Sequence, residues 1–197
     1  MDGFEKRRET KKAQIRHAVL LLLTTQSEDF TIRKVALQAG VSQVSIYNFF
    51  GSKDGLLMDV LKTYIKDKTS MYSKYLEDDL SFEETIQVIM MEEKKILSLT
   101  HSVLAHVAQP QELMNLLKKL QEAQLVPILI ALMEMAKSQG VINEDLAIAD
   151  LLFYISMYQR EMLRLSNQDR AAEPEISEEK LIHFFFYGLI GVPKQES

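Results

Sequence analysis

Cysteine is absent from this chain of 197 residues. Without cysteine, a disulfide framework and a thiolate metal cluster are both excluded. Glycine and proline are also scarce, with seven and four residues, so a strand-rich fold with many tight turns is not expected. The longest apolar run, Leu125 to Met133, has nine residues, whereas a membrane-spanning helix needs roughly 18 or more.

Motifs of common enzyme classes are missing as well. The sequence contains no glycine-rich phosphate loop, no H-E-x-x-H and no G-x-S-x-G. Two carboxylate pairs, Glu83-Glu84 and Glu92-Glu93, are adjacent residues that point apart on a helix. We therefore expect no enzyme, no cofactor and no metal site. An enzyme is kept as a first alternative, which tightly bound divalent metal in the purified protein would favour.

The charge of the chain is distributed unevenly. The net charge is −5, yet residues 1–55 carry nine Lys and Arg against six Asp and Glu, whereas residues 56–197 carry 14 against 22. Because residues 1–55 are basic and residues 56–197 are acidic, we expect a polyanionic partner for residues 1–55 alone. Apolar residues make up 47% of the chain, which is typical of a globular protein.

The N-terminal segment does not have the pattern of a secretion signal. Its apolar stretch, Ala18 to Leu23, has six residues, shorter than the roughly 7–15 of a signal peptide. Glu5 and Glu9 interrupt the basic residues before it. We expect a soluble cytoplasmic protein with no membrane partner. A helical adaptor or peripheral membrane protein, holding the basic first helix on anionic lipid, is the second alternative. Vesicle binding stronger than duplex binding would favour it.

Hydrophobic periodicity and capping residues predict an all-α fold of about nine helices. Thr31, Ser42 and Ser52 are suited to begin helices, and Ser81 with Glu84 forms a capping-box pattern. Gly40 is expected to end a helix with a positive φ. The predicted helices span about residues 5–25, 32–39, 43–50, 53–80, 82–100, 102–108, 111–138 (with a bend at Pro127), 145–166 and 177–189.

The short helix 43–50 has two different faces. On a helical wheel Ile46, Phe49 and Phe50 form one apolar arc, and the other side carries polar residues together with Val44. Glutamine and asparagine can pair bidentately with adenine, and valine can contact a thymine methyl. The helix therefore has the composition expected of one lying in a major groove. An ordinary amphipathic helix with a solvated polar face is the alternative.

Residues in this region resemble the DNA-binding signature of the TetR family of transcriptional regulators. The resemblance lies in Thr31-Ile-Arg-Lys-Val-Ala36, Ala39-Gly-Val-Ser42, Ile46-Tyr47, Phe50 and Ser52-Lys53-x-x-Leu56. It covers about residues 10–57, and the remainder matches the family only in plan. Val44 stands where family members often have a small residue, and Phe49 where they often have His or Tyr. These departures leave the operator sequence open.

The resemblance implies a role for each residue of the signature. It implies a three-helix helix-turn-helix domain over residues 1–52, which binds a palindromic double-stranded DNA operator. Gly40 would be structural, and Ile46 and Phe50 would belong to the core. A solvated surface position is an equal alternative for Arg33. The implied base-facing residues are Gln43, Val44, Ser45 and Asn48, and the implied phosphate-binding residues are Thr31, Arg33, Tyr47 and Lys53.

The resemblance also implies that residues 53–197 form a larger helical domain for ligand binding and homodimerisation. An unidentified small-molecule effector would release this protein, a repressor, from DNA. A monomer core is the alternative for the apolar C-terminal helices, and core packing is the alternative for the many methionines. Implied pocket residues are Met90, Met91, His101, His106, Met114, Phe153, Tyr154 and Met157. Implied dimer-interface residues are Leu151, Ile155, Phe184, Phe185 and Gly188.

Overall fold

The computed structural model describes residues 3–25, 30–76, 80–166, 180 and 184–185, and these residues form α-helices and no strand. An all-α fold is therefore confirmed for this part of the chain. A π-helical turn, Gln121–Leu125, connects the sixth and seventh helices. The α-helices that the described residues form are α1 (Gly3–Thr25), α2 (Ile32–Ala39), α3 (Gln43–Phe50), α4 (Lys53–Tyr75), α5 (Phe82–Leu104), α6 (Pro110–Leu120), α7 (Val126–Ser138) and α8 (Ile148–Ser166).

Several helix ends are fixed by the local contacts that the sequence predicts. The Thr31 hydroxyl accepts the Lys34 N–H at 3.2 Å at the start of α2. At the start of α5 the capping box forms in both directions: Ser81 Oγ accepts the Glu84 N–H at 3.2 Å, and a Glu84 carboxylate oxygen accepts the Ser81 N–H at 2.9 Å. Each cap satisfies backbone donors that have no partner inside the helix.

The structure corrects the expected helix count and some boundaries. The predicted separate helix 102–108 does not form, because α5 continues without a break to Leu104. Helix 53–80 ends at Tyr75. A π turn divides the predicted helix 111–138 into α6 and α7, and Pro127 lies in the first turn of α7, where a missing N–H costs little. The predicted helix 177–189 lies outside the described residues, apart from helical Lys180, Phe184 and Phe185.

The chain divides into two compact units. The first contains residues 1–67 and 99–120, and the second contains residues 68–98 and 121–197. In the first unit, α2 contacts both α1 and α3. Its buried side chains include Ile15, Val19, Val35, Ile46 and Leu57, all inaccessible to solvent. The face that α1 buries consists of Ile15, Ala18, Val19, Leu22 and Leu23.

The second unit has its own hydrophobic core. The core is formed by residues of α4, α5, α7 and α8, together with Leu125, Ile142 and Phe185. Tyr72, Phe82, Leu132 and Met133 are among its most deeply buried residues. Within the described residues, no helix is long and apolar enough to cross a membrane.

Gly55 occupies the first turn of α4 at a place where a larger residue does not fit. A Cβ atom there would overlap the Phe50 carbonyl oxygen at the end of α3. We expect Gly55→Ala to lower the free energy of unfolding by about 1–3 kcal/mol, because backbone must shift to admit the methyl group. Urea denaturation of both proteins measures the difference.

Gly3→Ala is the matched control, because a Cβ at Gly3 meets nothing within 4 Å. It should change the free energy of unfolding by no more than about 0.5 kcal/mol. Equal effects of the two substitutions would contradict the steric explanation.

Candidate nucleic-acid interface and interior cavity

The turn between α2 and α3 is built from a glycine and a capping serine. Gly40 has φ 62° and ψ 38°, and its N–H is bonded to main-chain carbonyls of the last turn of α2. Glycine adopts this left-handed conformation without a Cβ clash. Ser42 then begins α3 by accepting the Ser45 N–H at 3.0 Å. The two contacts set the path of the chain from one helix to the next.

The exposed face of α3 carries most of the residues predicted to face bases. Gln43 and Asn48 are exposed, and Val44 is 66% exposed. Ser45 is half-buried, and its hydroxyl lies 2.8 Å from that of Ser42. Gln43, Val44 and Asn48 are therefore accessible on one helix, whereas the Ser45 hydroxyl contacts the Ser42 cap.

The opposite face of α3 anchors the helix to the first unit. Ile46 is fully buried, and the rings of Phe49 and Phe50 are half-buried in an edge-to-face pair with centroids 6.3 Å apart. The Lys12 ammonium lies 5.7 Å from the centroid of the Phe50 ring. Burial of this arc leaves the polar arc as the face presented to solvent.

The residues predicted to bind phosphate lie at the start of α2, on α3 itself and at the start of α4. Thr31, Arg33 and Tyr47 are exposed, and the Thr31 hydroxyl is already used as the α2 cap. Lys53 is half-buried at the first position of α4, and its ammonium lies 5.4 Å from the centroid of the Phe30 ring. The free N–H groups and positive end of the dipole at a helix N-terminus favour an anion.

Two acidic residues of α4 that sequence reasoning missed hold this helix in the first unit. An Asp54 carboxylate oxygen accepts the N–H groups of Ala108 and Gln109, at 2.8 and 3.1 Å, just before α6 begins. Asp59 accepts the Arg16 guanidinium at 2.7 Å, which connects α4 to α1. Neither partner is near in sequence, so no local pattern identifies these contacts.

The second unit contains a small cavity of about 30 Å³, well below the roughly 300–1,000 Å³ of small-molecule sites. The wall is mainly apolar, and its polar groups are the Glu93 carboxyl, the Lys94 ammonium and the Tyr158 hydroxyl. Among the described residues, the cavity is lined by Ile86, Ile89, Met90, Glu93, Lys94, Leu97, Leu129, Ile155, Tyr158 and Phe185.

Glu93 is the acidic residue of this wall. Burial raises the pKa of its carboxyl to about 7, and a hydrogen bond from the Tyr72 hydroxyl, 3.3 Å from Oε1, opposes the shift. In the sequence it shares one face of α5 with Ile86 and Leu97, at spacings of seven and four residues, although two adjacent glutamates are typical of a solvated position. Adjacent Glu92 instead pairs with Lys68 and Lys95.

The predicted pocket residues are dispersed in the structure. Met90 lines the cavity, and Tyr154 packs beside it with its ring 4.9 Å from that of Tyr158 and 5.3 Å from that of Phe185. His106 stacks on Phe30 in the first unit. No group of three His, Asp or Glu able to hold a metal occurs among the described residues. The remaining five are exposed and do not line the cavity: Met91, His101, Met114, Phe153 and Met157.

The predicted dimer-interface residues are also separated. Leu151, Ile155 and Phe185 belong to the core of the second unit. This placement is the one expected of the monomer-core alternative for these residues. Phe184 is 51% exposed, and Gly188 lies outside the described residues. Among the α8 residues whose side chains the structure describes, Phe153 and Met157 are apolar and exposed.

Comparison with known proteins agrees with this geometry. Residues 27–60 match the sequence model of the family described as bacterial regulatory proteins, tetR family. No curated protein matches the chain. The solved structure of a TetR transcription regulatory protein from Mycobacterium vanbaalenii is similar at a TM-score of 0.68 and 15% identity, over 95% of this chain and 99% of that one.

Two further structures share the fold at low identity. The transcriptional regulator FadR from Bacillus subtilis, in complex with stearoyl-CoA, has a TM-score of 0.64 and 17% identity, over 91% of this chain and 97% of its own. The fatty acid degradation regulator FadR from Bacillus halodurans has a TM-score of 0.63 and 16% identity, over 90% of this chain and 98% of its own.

Proposed function

We propose that this chain is a cytoplasmic repressor of the TetR family of DNA-binding regulators, which the match over residues 27–60 and the shared fold support. In this proposal residues 1–52 bind a palindromic operator as part of a homodimer. Residues 53–197 bind a small effector that releases the protein from DNA. Family members are transcriptional regulators rather than enzymes.

The exposed face of α3 is the observation that supports sequence-specific DNA binding most directly. Gln43, Val44 and Asn48 project from a short helix whose other face is anchored by buried Ile46. An amide pair and one exposed aliphatic side chain provide contacts to adenine and to a thymine methyl. Exposed Tyr47 on the same helix offers a hydroxyl to a backbone phosphate.

Selection of random duplex fragments on the purified protein, with excess competitor DNA, tests the proposal. We expect an enriched palindrome, since a two-fold dimer reads two half-sites in opposite orientations. Enrichment of a single half-site would contradict the dimeric arrangement. If no sequence is enriched even from protein refolded after denaturation, which removes a co-purified effector, the DNA-binding proposal is contradicted.

Lys53→Ala is expected to weaken binding to all duplexes about equally. Loss of one phosphate contact per subunit should reduce the slope of log affinity against log salt concentration by roughly one per subunit. Fluorescence anisotropy across a salt series measures this slope. Lys62→Ala, an exposed lysine of the same helix, is the matched control and should leave the slope unchanged. An unchanged slope for Lys53→Ala would remove Lys53 from the phosphate-binding set.

Exposed apolar residues near the C-terminus support the homodimer. Phe153 and Phe184 are 64% and 51% exposed, and large exposed apolar residues of this kind mark association surfaces. We expect Phe153→Asp to shift the protein toward monomer in sedimentation velocity, because a carboxylate would be buried without a partner. Met114→Asp, at an exposed methionine of the first unit, should leave the dimer intact. A dimer of unchanged strength in Phe153→Asp would place the interface elsewhere.

We infer that ligand response begins in the small apolar cavity of the second unit, which an effector would have to enlarge. In the proposed mechanism an effector in this cavity favours a conformer in which α4 shifts, which changes the separation of the two α3 helices in the dimer. The coupling free energy would be on the order of 1–3 kcal/mol. Asp54 and Asp59, which hold α4 to its neighbours in the first unit, would transmit the shift. The B. subtilis FadR structure contains stearoyl-CoA, so an apolar effector is compatible with this fold.

A further inference from the structure

The first turns of α1 carry basic side chains on the helix face that is buried further along the chain. Arg7, Arg8 and Lys11 lie three and four residues apart, so they form one basic stripe, and all three are exposed. Ile15, four residues after Lys11, continues this face and is fully buried in the first unit. The inward face of α1 therefore changes from apolar to basic where the helix extends beyond the packed part of the unit.

The acidic residues of the same turns lie on a different face of α1. Glu5 and Glu9 share that face, and Glu9 lies 3.6 Å from the Lys12 ammonium and 3.8 Å from the Arg16 guanidinium. Among the described residues, no carboxylate forms an ion pair with the basic stripe. Its three positive charges are therefore left without a counter-charge in the described part of the protein.

The contacts of α1 show from which end of the first unit the stripe extends. Arg16 pairs with Asp59 at 2.7 Å, and Lys12, one turn closer to the N-terminus, lies over the ring of Phe50. Because Phe50 comes just before α4 and Asp59 about two turns into it, α1 and α4 begin at the same end of the unit. The turns of α1 before Lys12 extend past this end by roughly 13 Å. It is the end at which the N-terminus of α4 is proposed to meet phosphate.

The composition of these turns favours DNA over a lipid surface. A helix that lies on anionic lipid needs an apolar face beside its basic residues, and Phe4 is the one large apolar residue of α1 before Ile15. A duplex requires only charge, because it carries one phosphate for about every 1.7 Å of its axis. A helical segment of roughly 13 Å therefore matches a length of duplex with several phosphates.

We propose that the basic stripe of α1 binds the phosphate backbone of the DNA that flanks each half-site. This inference rests on the proposed function, in which α3 reads the half-site and the start of α4 meets phosphate beside it. It adds a surface that reads no bases. The protein then covers more DNA than the palindrome that it recognises, and the sequence of the flanking DNA does not alter its affinity.

Duplexes of two lengths test the proposal on the full chain. One ends at the last base pair of the palindrome obtained by selection, and the other adds about ten base pairs, one helical turn, of unrelated sequence on each side. Fluorescence anisotropy at about 0.15 M salt should show the flanked duplex bound at least about tenfold more tightly. Replacing Arg7, Arg8 and Lys11 together with glutamine should remove this preference. Equal affinities of the wild-type protein for the two duplexes would overturn the proposal.

The salt dependence of binding counts the phosphate contacts of the stripe. On the flanked duplex, the triple glutamine variant should reduce the slope of log affinity against log salt concentration by roughly 2–3 per subunit. Arg7→Lys combined with Arg8→Lys keeps both charges and should retain the slope. If the slope of the triple glutamine variant equals that of the wild type, the stripe does not bind phosphate and the proposal is wrong.

A matched control removes the same charge from other exposed positions. Lys62→Gln and Lys74→Gln on α4, combined with Lys119→Gln on α6, also remove three lysine charges from exposed sites. This variant should retain both the preference for the flanked duplex and the salt slope. If it loses them to the same extent as the stripe variant, the net charge of the protein explains the effect and the proposal fails.

Sedimentation with vesicles of phosphatidylserine and phosphatidylcholine tests the lipid alternative. Binding to vesicles through the basic stripe that is tighter than binding to the flanked duplex, at equal salt, would overturn the proposal. Weaker binding to vesicles would support it.

A duplex of random sequence separates this inference from the proposed function. A palindrome that is bound specifically but without any effect of flanking DNA would support the DNA-binding function and overturn the role of the stripe. If no palindrome is enriched, yet the triple glutamine variant lowers both the affinity and the salt slope for the random duplex, the stripe binds DNA and sequence-specific recognition is contradicted.

Discussion

Replacing Gln43 with alanine is expected to weaken binding to the selected operator by about 1–3 kcal/mol per half-site, and so by about 2–6 kcal/mol for a palindrome. Binding to unrelated duplexes should change little, because the amide of Gln43 is expected to read a base edge rather than a phosphate. The side chain is exposed in the first turn of α3, so its removal leaves the core and the Ser42 cap intact. The operator should also tolerate more bases at one position of each half-site.

Competition binding against operators with single base changes measures this relaxation. Gln38→Ala, an exposed glutamine on α2, is the matched control and should retain the full sequence preference. Equal weakening of Gln43→Ala on operator and unrelated duplex would assign Gln43 to the phosphate-binding set. Unchanged operator affinity would show that the Gln43 side chain does not contact the operator.

Much of the helix-turn-helix could be predicted because its determinants are local. Thr31, Gly40 and Ser42 act on backbone groups within four residues of themselves, so composition and spacing identify them. Asp54 illustrates the limit of such reasoning. Its partners are the N–H groups of Ala108 and Gln109, more than 50 residues away, and only the packing of the first unit brings them together.

The second unit was harder to predict, because its helices are apolar on several sides. In the run 151–155, periodicity alone does not decide which residues face inward. The structure buries Leu151 and Ile155 and exposes Phe153, so the inward face follows the i, i+4 spacing. Glu93 shows the opposite difficulty. As one of two adjacent glutamates it has the pattern of a solvated residue, yet neighbouring helices enclose it in the cavity wall.

Glu93→Gln is expected to stabilise the unliganded protein at pH 8 and to have little effect on its stability at pH 5. The carboxyl has a pKa of about 7 in the folded protein, raised by burial from 4.5. Between these values the folded protein holds a proton that the unfolded chain has released, so the contribution of Glu93 to the free energy of unfolding falls as the pH rises. The loss begins near pH 4.5 and is complete above pH 7, where it amounts to roughly 2–4 kcal/mol.

Urea denaturation of wild type and Glu93→Gln at pH 5 and pH 8 measures this effect as the difference between the two proteins. Because the two proteins share every other titrating group, the difference between their free energies of unfolding isolates the contribution of Glu93. Glu84→Gln gives a control of opposite sign on the same helix, because hydrogen bonds from Ser81 lower the pKa of the Glu84 carboxyl. Stability conferred by a lowered pKa is present at neutral pH and is lost in acid, so Glu84→Gln should destabilise the protein at pH 8. A Glu93→Gln difference that is the same at both pH values would show that this carboxyl is ionised throughout, and the cavity wall would then hold a permanent negative charge.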